Sequence, residues 1–366
     1  MLMNRFVNCL GLLIGSVMLL TPVSAQEPSV STELRPLVPH RVFSLIHAPE
    51  VHKELGLSDA EVSQLEEQFQ TWDGDWFRSR NLPTEKSFAE MDRLEREFWA
   101  WAKGAWSAEQ LKRLKQIEAQ SQGNRMFLRK EIAKAVKLTS VQLKKFTDLA
   151  SATETAQKNL QELTRKGGDT SAETQAVADA TSAEQKAINS IFTPDQIKEL
   201  KTLVGPIFDT KQLKRIYPMA PEFAPDTEWI NSSPLTLESL RGKVVVVHYY
   251  AFQCHNCHAN FEIYRRWHEK YADQGVVVIG IQSPETPTER DPAAVRDAAK
   301  DRKLEFPIIM DREMKNWDRW ANTMWPSVYV IDKRGYLRHW WQGELNWQGA
   351  TADKTIESII EAALAE

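Results

Sequence analysis

Cysteine is scarce in this chain, three residues in 366, so a framework of structural disulfides is excluded. An excess of positive charge is missing as well. Lys and Arg number 46 against 50 Asp and Glu, a formal net charge of -4, so no overall basic charge argues for nucleic acid. Long apolar runs are also lacking. The stretch Phe6 to Leu20 is about fifteen residues, short of the roughly 20 that a membrane-spanning helix needs. It follows Arg5 and leads into Thr21-Pro22-Val23-Ser24-Ala25. A basic start, an apolar middle and a small-residue end make residues 1–25 a secretory signal peptide with cleavage after Ala25. The expected location is periplasmic or otherwise exported, and Cys9 leaves with the peptide.

Two cysteines remain, in Ala251-Phe252-Gln253-Cys254-His255-Asn256-Cys257-His258. C-x-x-C reads as a redox dithiol, and C-x-x-C-H as a c-type haem attachment site. A bridge across so small a loop adds little stability. In an oxidising compartment the pair is therefore chemical rather than structural.

The length implies about two domains. Pro28, Pro36 and Pro39 mark residues 26–39 as a linker. From 40 to 210 one signal recurs: Leu57-Ser58-Asp59-Ala60-Glu61-Val62, Trp106-Ser107-Ala108-Glu109-Gln110-Leu111, Leu138-Thr139-Ser140-Val141-Gln142-Leu143 and Phe192-Thr193-Pro194-Asp195-Gln196-Ile197. Each is a capping box flanked by a hydrophobic staple, so four helices should begin there. Pro194 suits the first helical position, where its missing N–H costs nothing. Leu111, Leu114 and Ile117, and Leu143, Phe146 and Leu149, form apolar stripes at helical spacing. Gly167-Gly168-Asp169 reads as the turn of a helical hairpin, and Trp72-Asp73-Gly74-Asp75-Trp76 as a turn. His40, His47 and His52 could touch a metal, but are expected on a solvated helix face. Trp99, Trp101 and Trp106 are expected to pack between helices. The four copies resemble the LTxxQ motif of small helical periplasmic stress chaperones related to Spy and CpxP. By that resemblance the helical domain would bind proteins or oligomerise.

Prolines at 218, 221 and 225 mark a boundary. Beyond it, strand and helix patterns alternate, which implies a central sheet with helices on both faces. The expected strands are 244–250, 276–281, 306–310, 327–331 and 336–340. The last two form a hairpin turned at Lys333-Arg334-Gly335. Cys254 would then follow a buried strand and open a helix, whose N-terminal partial charge favours a thiolate. Cys254 is the attacking thiol and Cys257, one turn later, the resolving one. His255 lies between them, where an imidazolium would favour the thiolate further.

Ala220-Pro221-Glu222-Phe223, Leu240-Arg241-Gly242-Lys243-Val244, the Cys254–Cys257 pair, Phe306-Pro307 and Trp325-Pro326-Ser327-Val328 occur in order. Residues 217–366 thereby resemble a thioredoxin-fold domain of the TlpA/ResA/DsbE class, close to the redoxin-like DipZ C-terminal group. The resemblance implies a cis-proline at Pro326 beside the dithiol, with Trp325 presenting backbone to an extended substrate. Some positions depart from that pattern. Gln253 replaces a usual Trp, Asn260 a glutamate and Glu262 a kinking proline. His248 takes the place of a buried acid, and is either a substitute proton relay or a core histidine. The expectation is a multi-domain protein, an all-α N-terminal bundle followed by an α/β thioredoxin-fold domain. It exchanges disulfides with protein thiols and an unknown redox partner, and needs no cofactor or metal. A redoxin-type (AhpC/TSA-like) peroxidase with antioxidant activity and a c-type haem electron carrier are the rival readings.

Overall fold

Local signals set where the helices start, and distant contacts set how they assemble. The computed structural model describes residues 30–31, 33–213 and 216–366, so the signal-peptide expectation and Cys9 lie outside the described residues. The N-terminal helices are α1 (Val42–Ile46), α2 (Pro49–Leu55), α3 (Asp59–Ser79), α4 (Thr84–Ala105), α5 (Ala108–Gln122), α6 (Lys130–Ala135), α7 (Ser140–Lys166), α8 (Ser171–Lys186), α9 (Ile188–Ile191) and α10 (Pro194–Val204). Four of them, α3, α5, α7 and α10, start at the capping boxes of Ser58, Ser107, Thr139 and Thr193. The boxes meet in pairs. Gln110 Nε2 donates to Glu61 at 3.1 Å, and Gln142 Nε2 donates to Gln196 at 2.8 Å. Each pair serves its own apolar cluster. One cluster is built around Phe43, Phe69, Trp72 and Phe98, the other around Phe127, Phe146 and Phe192. Gly167 takes a φ of 72° to end α7, as the hairpin turn requires.

Three expectations for this region are corrected. The stretch 72–76 is not a turn but lies inside α3, where Gly74 packs beside Pro221 and Asp73 is fully buried. Burial and partners override the turn propensity of Asp and Gly. The histidines do not face solvent. His47 pairs with Asp73 at 2.8 Å, His52 Nε2 meets the carbonyl of Ile46 at 2.6 Å, and His40 lies 2.9 Å from Glu95. Val30, Leu37 and Val38, in the segment read as a linker, pack in the second cluster.

The C-terminal part runs β1 (Glu228–Ile230), β2 (Val244–Tyr250), α11 (His255–Tyr271), β3 (Val276–Gln282), α12 (Pro292–Asp301), β4 (Ile308–Met310), α13 (Lys315–Arg319), β5 (Ser327–Ile331), β6 (Leu337–Gln342) and α14 (Ala352–Ala365). The strand order is β1-β4-β3-β2-β5-β6. β2, β3 and β4 run parallel, and β1, β5 and β6 are antiparallel to their neighbours. β2 is buried at every position, as a central strand covered on both faces must be. β1 is not among the strands the sequence predicts, because three residues carry too little pattern.

Alternation along β2 divides the core. Val244, Val246 and Tyr250 face α11, α12 and α14. Val245, Val247 and Tyr249 face Trp320, Leu237, Leu240 and, from the helical region, Phe77 of α3. The second face of the sheet is thus closed partly by the N-terminal helices. Phe77 lies 6.1 Å from the Tyr329 ring and 5.5 Å from the Trp340 ring, both edge-on. Arg80 Nη2 and Asn81 Nδ2 donate to the carbonyls of Trp320 and Ala321 at 3.2 and 2.7 Å. Among the described residues, no helix is long and apolar enough to cross a membrane.

Candidate active site around Cys254 and Cys257

β2 delivers the chain to the site. Its last residue, Tyr250, is followed by buried Ala251 and a tight turn in which Cys254 N–H donates to the Ala251 carbonyl at 3.2 Å. Cys254 is the N-cap of α11, in extended conformation, so its side chain stands at the positive end of that helix. Cys257 follows one turn later, fully buried, and both thiols are unbridged.

The two sulfurs are unequal. The hydrogen bond from Cys257 holds the Cys254 thiol below the usual range, against the opposing effect of partial burial, and the N–H groups of Cys257 and Asn256 add to it. The same bond and burial push the Cys257 thiol up. Glu285 pushes both up. The partly exposed Cys254 thiol is thus easier to ionise than the buried Cys257 thiol.

The peptide bond between Trp325 and Pro326 is cis. Trp325, like Phe252 and Cys254, packs partly buried against the first sheet core. Its indole donates to the Ser283 carbonyl at 3.1 Å and lies 4.0 Å from the Trp317 ring. The Pro326 carbonyl accepts the N–H of Gly343 at 2.7 Å, and the Gly343 carbonyl accepts from Asn260 Nδ2 at 3.3 Å. Asn260 Oδ1 also accepts the N–H of Leu345 at 3.0 Å. Asn260 therefore ties α11 to the loop after β6 that touches the proline.

The histidines separate. His255 is exposed between the cysteines. His248 is fully buried, stacked 4.0 Å from Tyr264, and neither ring nitrogen has a hydrogen-bond partner. Burial alone pushes it down to about 3. His258 is exposed, yet its Nε2 meets the carbonyl of Phe252 at 2.8 Å.

Glu289, Arg302 and His258 surround the turn before Cys254, and the sequence motif around the dithiol does not point to the first two. Glu289 is fully buried and accepts the backbone N–H groups of Gln253, Glu285 and Thr286. A signal existed: Thr286-Pro287-Thr288-Glu289 has the same capping-box spacing as the four helix starts. His40, Asp92 and Glu95 could together surround a cation, far from this site in sequence, but Arg35 already binds Asp92 at 2.5 Å.

The C-terminal segment is similar to redoxin-type domains of thioredoxin fold. Residues 218–340 match the family model of the AhpC/TSA family. The chain is 36% identical over 123 residues to Protein DipZ of Mycobacterium bovis, covering 33% of this chain and 18% of that one. It is 29% identical over 147 residues to the thiol-disulfide oxidoreductase YkuV of Bacillus subtilis, 40% of this chain and 94% of that one. The chain thus spans under a fifth of the length of DipZ but nearly all of YkuV. Among solved structures, a thiol-disulfide isomerase from Corynebacterium glutamicum shares 26% identity, covers 40% of this chain and 97% of that one, and has a TM-score of 0.35.

Proposed function

We propose that this protein is an exported thiol–disulfide oxidoreductase acting through Cys254 and Cys257. The observation that carries this reading is the placement of the two thiols, Cys254 partly exposed at the N-terminus of α11 and Cys257 buried one turn later. The Cys254 thiolate attacks one sulfur of a substrate disulfide. The S–S bond breaks, the departing sulfur takes a proton, and a mixed disulfide forms. Cys257 loses its proton and attacks Cys254 Sγ, releasing the second substrate thiol and leaving a Cys254–Cys257 disulfide. Two electrons and two protons pass to the substrate, and a reducing partner must return them. Run in reverse, the same steps oxidise a dithiol.

Two observations support a dithiol over a covalent haem. Cys257 is fully buried, and His258, the residue that would ligate iron, already meets the Phe252 carbonyl. The match to the AhpC/TSA family keeps peroxide reduction as a second activity worth measuring. The decisive experiment uses the Cys257→Ser protein with a disulfide-bonded protein substrate. A trapped mixed disulfide at Cys254 is expected. Absence of any adduct, or a Soret band that survives denaturation of the wild type, would overturn the reading.

A further inference from the structure

The turn before Cys254 contains one peptide unit with a special environment. Its N–H, on Gln253, donates to Glu289 Oε1 at 2.7 Å. Its carbonyl, on Phe252, accepts from Arg302 Nη2 at 3.2 Å and from His258 Nε2 at 2.8 Å. Arg302 Nη2 and His258 Nε2 are themselves 2.9 Å apart. A carboxylate holds the positive end of this peptide dipole and a guanidinium the negative end. Bonds to charged partners are shorter and stronger than neutral ones.

Both anchors are themselves held. Glu289 is fully buried, and its other oxygen accepts the N–H groups of Glu285 and Thr286 at 2.7 and 2.8 Å. The Thr286 hydroxyl donates to the Gln253 side chain at 2.7 Å, so the segment after β3 grips that residue twice. The carbonyl of Arg302, at the end of α12, accepts from Arg265 of α11 at 3.0 Å. The clamp therefore joins three elements at the residue before the attacking cysteine.

We propose that Glu289 and Arg302 are positioning residues for Cys254, gripping the Phe252–Gln253 peptide from its two ends. The inference rests on the disulfide-exchange reading above. During exchange the Cys254 sulfur must turn between a substrate sulfur and Cys257. The clamp keeps the backbone still while the side chain turns, which preserves the in-line geometry of attack. Arg302 also brings a cation to the turn. The other charged or titratable groups around the dithiol and its turn are Tyr250 of β2, His255, His258 and Tyr264 on α11, Cys257, and Glu285 and Glu289 after β3.

The test uses the full chain with Arg302→Met, Arg302→Lys and Glu289→Gln. Three quantities are measured: the alkylation rate of Cys254 against pH, the redox equilibrium with glutathione, and the rate of exchange with a protein disulfide. Arg302→Met is expected to move the alkylation profile to higher pH and the equilibrium toward the disulfide form, because a cation that favours the thiolate is gone. Arg302→Lys restores both. In Glu289→Gln the amide cannot accept all three N–H groups. Exchange with the docked protein substrate should fall about tenfold, while alkylation by a small reagent falls less. Should buried Glu289→Gln fail to fold, half-buried Arg302→Met carries the test. A folded Arg302→Met protein with all three quantities unchanged overturns the proposal. A wild type that exchanges no disulfide, yet whose alkylation profile shifts on Arg302→Met, sustains the clamp and removes the oxidoreductase reading instead.

Discussion

Asp73 of α3 accepts the backbone N–H of Met219 at 2.7 Å, across 146 residues of chain. The same oxygen lies 2.8 Å from His47 Nε2, and His47 Nδ1 lies 2.7 Å from the Phe43 carbonyl. Asp73 is fully buried and the His47 side chain is 2% exposed. The fold thus holds a dry acid–imidazole pair at the entry to the sheet region.

Asp73→Ala should be severely destabilising. It leaves the imidazole and the Met219 N–H without a partner in the core, and breaking one side of such a buried pair costs about 3–5 kcal/mol. Asp73→Asn keeps an acceptor of the same shape and should lose much less. Urea unfolding of both variants tests this, and equal midpoints for wild type and Asp73→Ala would show that the pair holds nothing together.

Phe77 is the reverse contact, an α3 side chain that completes a face of the sheet. Phe77→Ala should destabilise the full chain by roughly 3 kcal/mol, the low end of the range for a buried aromatic. The isolated fragment 217–366 should accordingly melt below the intact protein. A fragment as stable as the whole would mean that the helices merely rest on the sheet.

His248 gives the protein an acid-sensitive core. The fold favours the neutral ring, with its value pushed down from 6.5 to about 3 by burial. Its contribution is fully present above 6.5 and is lost as pH falls toward 3, because the unfolded chain takes up the proton first. The loss is about 2 kcal/mol between pH 6.5 and pH 5. His248→Leu, similar in volume and unable to protonate, should lose less stability over that interval. Parallel losses in the two proteins would remove His248 as the cause.

The thiols should titrate apart. In the reduced protein, one cysteine should react with an alkylating reagent in a pH-dependent way set by Cys254, while buried Cys257 reacts only on unfolding. Mass spectrometry after limited modification at neutral pH should find the label on Cys254. Equal labelling of both positions would contradict the unequal environments.

Short-range patterns carried much of this protein in the sequence alone. Ser58, Ser107, Thr139 and Thr193 announce helix starts because capping is a contact between residues three apart. The apolar run 244–250 announces a central strand, and Cys254 after it sits at a helix N-terminus because strand, turn and helix are consecutive. What only the tertiary structure decided lies between residues far apart in the chain. Asp73 and Gly74 look like turn formers until His47, Met219 and Pro221 bury them inside a helix. Phe77 is an unremarkable helical aromatic until a sheet some 250 residues later needs its face covered. Glu289 and Arg302 hold the turn at Cys254 from 36 and 50 residues beyond the groups they bind. A local pattern cannot state those pairings, because their energy comes from burial and charge brought together only when the chain has closed.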